Sequence, residues 1–590
     1  MSGTPPPNLL FIIVDDLRTE ISHRYGQSEM KTPGIAALQE AGITFTRAYT
    51  AVTVCSPSRT ALLTGMRPDV TRLWTIGPYF RDTAGINVGP SIITLPQLLK
   101  NNGYNVTGAG KVFHPGTSSG GDANWGGGSV GGDDMPYSWT TVVPPGVDSR
   151  LTYWECDCWN NGTGQSAKSA GIKGGQGCVT SPACVTCLEK YNATQRVSWV
   201  SSPCDDLCYV DAMIGDHIID VIQNPQLPSL PQATFVGFKR PHLGFYVPEW
   251  ALNSYPVNQT IAENRQPPEN FPTAAWSDNG EIRGYKDVGA FVNQTGPFPG
   301  TLYDSKHAEL RRAYYAAVTT MDAQVLRVWE ALEASGQREN TWVIFTADHG
   351  WALGEHGNWA KVTLFEDVTR VPLILVPPTG SAGFLRNATI SNSFVNLIDL
   401  FPTITELLNI AQPFGQLNGT SFVSLLREST ASSLSPMASS SSSTLFNASF
   451  TQITRQDPRN NCSGPNGTGQ SDPNDSDPPM RVNIDEGSDN NNNNNTNKEV
   501  CAMGLSMRLL SWRYTEWVGY DYVNGLPIWS DLRGIELYNH TLTDMISNDN
   551  DSDNDFDNTA ENINLAGNPS AASIQSLLSA QLHAQWPGRV

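Results

Sequence analysis

The stretch Asn8-Leu9-Leu10-Phe11-Ile12-Ile13-Val14 is apolar almost without interruption and has the length of one strand. A strand half-exposed to water alternates apolar and polar residues, whereas one covered on both faces does not. The run therefore predicts a central strand of an open sheet with a layer on each side. Asp15-Asp16 follow it directly. A second run, Trp342–Thr346, repeats the design and delivers Asp348-His349. Ligands of open α/β sheets gather outside the carboxyl ends of the strands, so both acid pairs are candidates for one site.

The rest of the chain reads in the same terms. Ile43–Phe45, Tyr104–Thr107 and Ala233–Phe238 are strand-like, and a helix over Ile35–Glu40 starts near Pro33. Another spans Ile93–Asn102 and is closed by Gly103. Leu310, Tyr314, Ala317, Met321, Val325, Val328 and Leu332 recur at steps of three or four, which predicts a long amphipathic helix ended by Gly336. Gly108–Gly116 reads as a glycine-rich loop and Thr117–Asp134 as a surface loop. Strands alternating with helices predict an α/β fold with a large mixed, mainly parallel sheet flanked by helices. Aromatic strand-like pieces such as Trp512–Val518 predict a smaller C-terminal α+β subdomain. The expected layout is a catalytic domain over 8–426 with a cysteine-rich insertion at 154–208. A low-complexity Ser/Asn/Asp-rich insertion or linker follows over 427–500, then the C-terminal subdomain with its acidic tail over 501–590.

Composition narrows the function classes. A formal charge of −20 argues against a general nucleic-acid binder. Residues 471–561 hold 18 acids against 5 bases, so the total says little about a pocket upstream. No run of 18 apolar residues exists, hence no transmembrane segment is expected. Seven of the ten cysteines crowd into Cys156–Cys208; disulfides are the first reading and a zinc site at Cys184 and Cys187 the second. With fourteen Asn-x-Ser/Thr sequons, among them Asn105, Asn161, Asn192, Asn258, Asn293 and Asn387, the expectation is a secreted or lysosomal protein whose signal peptide lies outside this chain.

Two constellations carry chemistry. Asp15, Asp16, Asp348 and His349 suit a divalent cation with mostly oxygen ligands, calcium or magnesium before zinc. Arg59, Lys111, His114, His242 and Lys361 lie in loops or beside Gly and Pro, and together would line a site for sulfate or phosphate. Physics permits either anion. Trp351, Glu355 and His356 admit two readings, sugar contact or packing.

Cys55-Ser56-Pro57-Ser58-Arg59, trailed by Leu63-Thr64-Gly65, resembles the C-x-P-S-R signature of the sulfatase family. Gly103-Tyr104, Gly110-Lys111 and His114 resemble its second signature, with Val106 where Ser or Thr is usual. Asn8–Arg18, Gly110–Gly116, Asp348–Lys361, Arg513–Tyr520 and Glu536–Tyr538 also look like members of this family. The resemblance spans roughly 8–425 and 501–545 and leaves out the cysteine-rich and Ser/Asn-rich stretches.

The resemblance implies an alkaline-phosphatase-like fold and a sulfuric ester hydrolase acting on a sulfated sugar or glycosaminoglycan. It implies that Cys55 is converted to formylglycine by a formylglycine-generating enzyme. One Ca2+ would be bound by Asp15, Asp16, Cys55, Asp348 and His349. Arg59 and Lys111 would hold the formylglycine diol and the sulfate, and His114 would be the base on the diol. His242 and Lys361 would contact the sulfate and protonate the leaving alcohol. Ser56-Pro57-Ser58 would then be a recognition signal for the modifying enzyme, with Arg59 alone keeping a second role. Two other readings stand beside this one: a phosphonate or phosphate ester hydrolase of the same superfamily, and a non-catalytic glycan-binding homologue.

Overall fold

The computed structural model describes residues 5–588 except 26–28, 77–78, 84–91, 121–132, 141–196, 205, 260–261, 263, 278, 293–297, 299–300, 414, 416, 428–446, 456–500, 522–523 and 542–560. The main sheet is built from β1 (Asn8–Val14), β2 (Ile43–Tyr49), β3 (Asn105–Gly110), β4 (Gln232–Phe238), β5 (Thr341–Ala347), β6 (Arg370–Val376) and β7 (Thr389–Asn396). Their spatial order is β7-β2-β6-β5-β1-β4-β3. Four of the six pairings are parallel; β6 runs antiparallel to both its neighbours. The sheet is therefore mixed and mainly parallel, as expected.

Leu9 to Val14 are all buried, the mark of a strand covered on both faces. The helices that cover the sheet form two groups. α1 (Pro33–Ala41), α4 (Val210–Gln223) and α6 (Asp304–Ala334) pack together, while α2 (Cys55–Thr64) packs against α3 (Leu95–Asn101) and α8 (Leu400–Leu407). All seven apolar positions read as the stripe of α6 are buried. Two shorter helices, α5 (Gly280–Arg283) and α7 (Glu366–Thr369), bear on the site below.

The topology itself makes a site. β5, β1, β4 and β3 are consecutive neighbours and all parallel, so their carboxyl ends lie side by side. Asp15-Asp16, Asp348-His349, the Lys239–His242 turn and the Lys111–His114 turn leave from these four ends. Backbone bonds prolong the ladder into the turns: Asp15 N to Phe238 O at 3.1 Å, Asp348 N to Val14 O at 3.2 Å and Lys111 N to Gly237 O at 2.8 Å.

Several expectations are corrected. Gly108-Ala109-Gly110 belongs to β3 rather than to a loop. Gly110 has φ +77, and a Cβ there would lie 2.0 Å from Gly237 O. The glycine is thus a close-approach residue where β3 meets β4. Of the Thr117–Asp134 stretch, residues 121–132 lie outside the described ones; at its end Asp134 is buried and accepts from Arg81 Nε at 2.5 Å. Asn105 is a poor glycan acceptor: it is buried in β3 and donates to Gln232 Oε1 at 2.8 Å. Asn258 and Asn387 are exposed. Cys204 and Cys208 are disulfide-bonded, and Cys55 is free and buried; Cys184 and Cys187 lie outside the described residues.

The C-terminal subdomain is an antiparallel sheet of β8 (Ala448–Arg455), β9 (Cys501–Leu509), β10 (Trp512–Asp521) and β11 (Leu526–Asn539), packed by α9 (Ala572–Gln585). β8 falls inside the 427–500 stretch read as a linker, and corrects that reading at those eight residues. It pairs with β9 from Ala448↔Leu509 to Arg455↔Ala502 and touches the loop before Cys55. There Gln452 N bonds Ala51 O at 2.9 Å and Thr451 Oγ1 bonds Thr50 O at 2.7 Å. Arg513 of β10 adds a buried link, with Nε 2.5 Å from Glu561 and a bond of 3.1 Å to Thr369 Oγ1 of α7.

Candidate active site

Cys55 is the first residue of α2, at the helix end where backbone N–H groups point outward. Its Sγ lies 3.2 Å from Lys361 Nζ, 3.4 Å from His349 Nε2 and 3.5 Å from Asp15 Oδ1. Burial pushes the thiol well above its usual pKa; Asp15 adds to this, against Lys111 and Lys361. An unmodified Cys55 is therefore held as a neutral thiol, the opposite of the low-pKa setting of a reactive cysteine.

The acids surround it. Arg59 is fully buried and forks between two of them, with Nε 2.9 Å from Asp348 Oδ2 and a terminal nitrogen 3.1 Å from Asp15 Oδ1. Lys111 Nζ sits 2.6 Å from the other oxygen of Asp15. Lys361 Nζ is 3.1 Å from Asp16 Oδ1. Burial alone would raise Asp15, but Lys111, His242, Arg59 and Lys361 outweigh it and hold the carboxyl well below the usual range. Asp16 goes the other way: burial, with Asp15, Glu281 and Asp348 close by, lifts it well above, against Lys361.

This geometry fits a divalent cation. Asp15, Asp16 and Asp348 bring carboxylate oxygens within 4.8 Å of one another, as do the ligand atoms of Asp16, Cys55 and His349. Buried carboxylates crowded this closely repel unless positive charge lies among them. Burial lowers His349 to about 4, which keeps its ring neutral and able to ligate. Its Nδ1 lies 3.0 Å from Gly350 O. His114 and His242 repeat the arrangement, with Nδ1 at 3.1 Å from Pro115 O and 2.7 Å from Leu243 O. In each ring a protonated Nδ1 meets the carbonyl of the following residue, which leaves the lone pair of the neutral form on Nε2.

Nearly all the residues singled out from the sequence thus converge. Asp15, Asp16, Cys55, Arg59, Lys111, Asp348, His349 and Lys361 are joined by direct contacts, and His242 Nε2 stands 3.9 Å from Asp16 Oδ2. His114 is placed by chain position, on the turn that carries Lys111, and is buried.

One reading changes, and the contacts of Trp351, Glu355 and His356 favour packing of the two readings left open. Ser58 is more than a recognition signal: its Oγ donates to Asp348 O at 2.6 Å and meets Thr50 Oγ1 at 2.8 Å, locking α2 to the β5 turn. Glu355 and His356 are packing residues. Burial would raise Glu355, but Arg18 and Arg311 hold it at about 2. His356 stacks on Phe365 with ring centroids 4.1 Å apart. Trp351 is fully buried and backs Lys361, whose Nζ is 5.6 Å from a Trp351 ring centroid.

Sequence reasoning missed Glu281. It lies on the short helix α5, follows no strand-like run and belongs to no recognisable motif. Its Oε1 is 3.2 Å from Lys361 Nζ and 3.5 Å from His242 Nε2.

His356 gives a prediction for pH. Burial lowers it to about 4, below its unfolded value of about 6.5. The unfolded chain then binds the proton more readily, so stability is full above about pH 6.5 and falls as pH drops toward 4. His356→Asn, which tolerates the residue's φ of +54, should lose about 2 kcal/mol less stability than wild type between pH 7.5 and 5. Urea unfolding at the two pH values measures this; equal losses in both proteins would show that His356 carries none of the acid sensitivity.

Comparison with known proteins identifies the family. The family model for sulfatase matches residues 7–410. The chain is 31% identical to mouse (Mus musculus) iduronate 2-sulfatase over 561 residues, covering 91% of this chain and 89% of the relative. It is 30% identical to the human (Homo sapiens) iduronate 2-sulfatase over 559 residues, with 91% and 90% covered. Among solved structures, the phosphonate monoester hydrolase of Agrobacterium radiobacter superposes with a TM-score of 0.59 at 19% identity, covering 98% of this chain and 96% of that one, which shows a shared fold. With the family match spanning most of the chain and two relatives covered almost end to end, this chain belongs to the sulfatase family.

Proposed function

We propose that this protein hydrolyses the sulfate ester of a sulfated sugar, in the manner of an iduronate 2-sulfatase, with formylglycine at residue 55 and one bound Ca2+. The observation that carries this reading is the placement of Cys55. It opens α2 with Sγ 3.2 Å from Lys361 Nζ and 3.5 Å from Asp15, in a chain 31% and 30% identical to two proteins of that name.

Asp15, Asp16, Asp348 and His349, with residue 55, would hold the cation, which when bound supplies positive charge against a sulfate oxygen. Formylglycine supplies, in its hydrated form, a hydroxyl nucleophile and a second hydroxyl through which sulfate can be expelled. The remaining work belongs to side chains. Arg59 holds Asp15 and Asp348 in register beside residue 55. Lys111 and Lys361 stabilise anionic charge as it develops. His242 Nε2 or Lys361 Nζ delivers a proton to the leaving alcohol, and His114 Nε2 accepts one from the nucleophile side. Export supports the chemistry: the disulfide-bonded Cys204 and Cys208 and the exposed sequons at Asn258 and Asn387 favour a secreted or lysosomal setting. No helix among the described residues is long and apolar enough to cross a membrane.

The test is sulfate release from a 2-O-sulfated iduronate disaccharide, run beside a phosphonate monoester, using protein made in a host that forms formylglycine. Release of sulfate at the higher kcat/KM supports the reading. Preference for the phosphonate overturns it, and turnover of neither points to the non-catalytic homologue.

A further inference from the structure

We propose that Glu281 decides which sulfated sugars this site accepts: it admits an ester flanked by a free hydroxyl and rejects one flanked by a second anionic group. The inference rests on the reading of the site as a sulfatase. Glu281 Oε1 lies 3.2 Å from Lys361 Nζ and 3.5 Å from His242 Nε2, the two groups assigned to the leaving alcohol. A ring substituent next to the ester oxygen must therefore pass close to this carboxylate. Glu281 is also the member of the cluster nearest to solvent, with its side chain 10% exposed against 2% for Lys361 and none for His242 and Asp16. Of these four side chains, Glu281 is the one a ligand entering from solvent can reach first.

Its position is set by Asn279. That residue is buried, has φ +57 and precedes α5. Its Nδ2 donates to Gly357 O at 3.1 Å and its Oδ1 accepts from Trp359 N at 2.8 Å. Both halves of one amide thus tie α5 to the segment ending at Lys361, so Glu281 and Lys361 are positioned as a unit. A carboxylate at this position accepts a hydrogen bond from a sugar hydroxyl and offers no donor to a neighbouring sulfate. Like charges brought together in a low-dielectric site are strongly disfavoured.

The experiment measures kcat/KM for two substrates that differ at one position. One is a mono-O-sulfated sugar with a free vicinal hydroxyl; the other carries sulfate at both positions. Wild type should prefer the first by about tenfold or more, and Glu281→Gln should cut the preference to about threefold or less. A role confined to neutralising Lys361 would lower both values equally and leave the ratio unmoved, which overturns the proposal. Equal cleavage by wild type overturns it without the variant, so the test survives a Glu281→Gln protein that does not fold. Sulfate released from neither sugar overturns the sulfatase reading and this inference with it; cleavage of both at one rate overturns the inference alone.

Discussion

Cys55→Ala lowers sulfate release by at least about 10⁴-fold, the scale on which loss of a covalent nucleophile is felt, while the fold persists. The fold survives because α2 is anchored by other residues. Arg59 ties it to Asp15 and Asp348, Ser58 to the Asp348 carbonyl, and the adjoining loop to β8. The Cys55 side chain contributes only its own small volume, so the melting temperature should move by about 2–4 °C. Cys55→Ser should be almost as inactive, since a plain hydroxyl in this buried, acid-flanked position has no second hydroxyl through which to expel sulfate. Burial and Asp15 hold the thiol protonated, so an active enzyme should carry formylglycine here. Mass spectrometry of the peptide containing residue 55 reads this, as the mass difference between CH2SH and CHO. Full activity with cysteine throughout would refute the assigned nucleophile.

Withdrawing divalent cations from the wild-type enzyme should abolish turnover and destabilise the fold by about 2–3 kcal/mol, the linkage expected for an ion present at about a hundred times its Kd. The charges explain why. Asp15, Asp16, Asp348 and Glu281 face Arg59, Lys111 and Lys361, four carboxylates against three cations, all within one buried cluster. Burial lifts Asp16 and the neighbouring carboxylates add to it; a dication relieves that repulsion and leaves the pocket receptive to an anionic ester. Activity and melting temperature should return with calcium. Protein shown by metal analysis to be free of divalent cations, yet equally stable and active, would rule out the ion. A second cluster, Glu366, His540 and Glu561, provides a contrast. Arg508 Nε stands 3.1 Å from Glu366 and Arg513 Nε 2.5 Å from Glu561. Two arginines already balance its two carboxylates, so chelation should not act there.

Local sequence was informative wherever a physical signal is itself local. An uninterrupted apolar run cannot face water, so β1 and β5 were legible as central strands, and the acids following them as strand-end groups. The 3.6-residue period of α6 was legible for the same reason. Where residues owe their state to distant partners, the reading failed. Gly108 and Gly110 looked like loop glycines, yet their small size is needed against Trp139 and Gly237 inside the sheet. β8 was hidden among Ser- and Asn-rich neighbours, because a polar edge strand next to a low-complexity run has little hydrophobic contrast.

What the amino-acid order determined by itself was the strand type, the acids and bases at strand and loop positions, and the cysteine motif that marks the family. Only the tertiary structure decided how these meet. The order β5-β1-β4-β3 sets four carboxyl ends beside one another, and no periodicity within a strand specifies its neighbours. Tertiary structure also brought Glu281 to Lys361, through an asparagine bridging two loops 78 residues apart. Such contacts arise when separately formed surfaces pack, and a linear pattern carries no record of them.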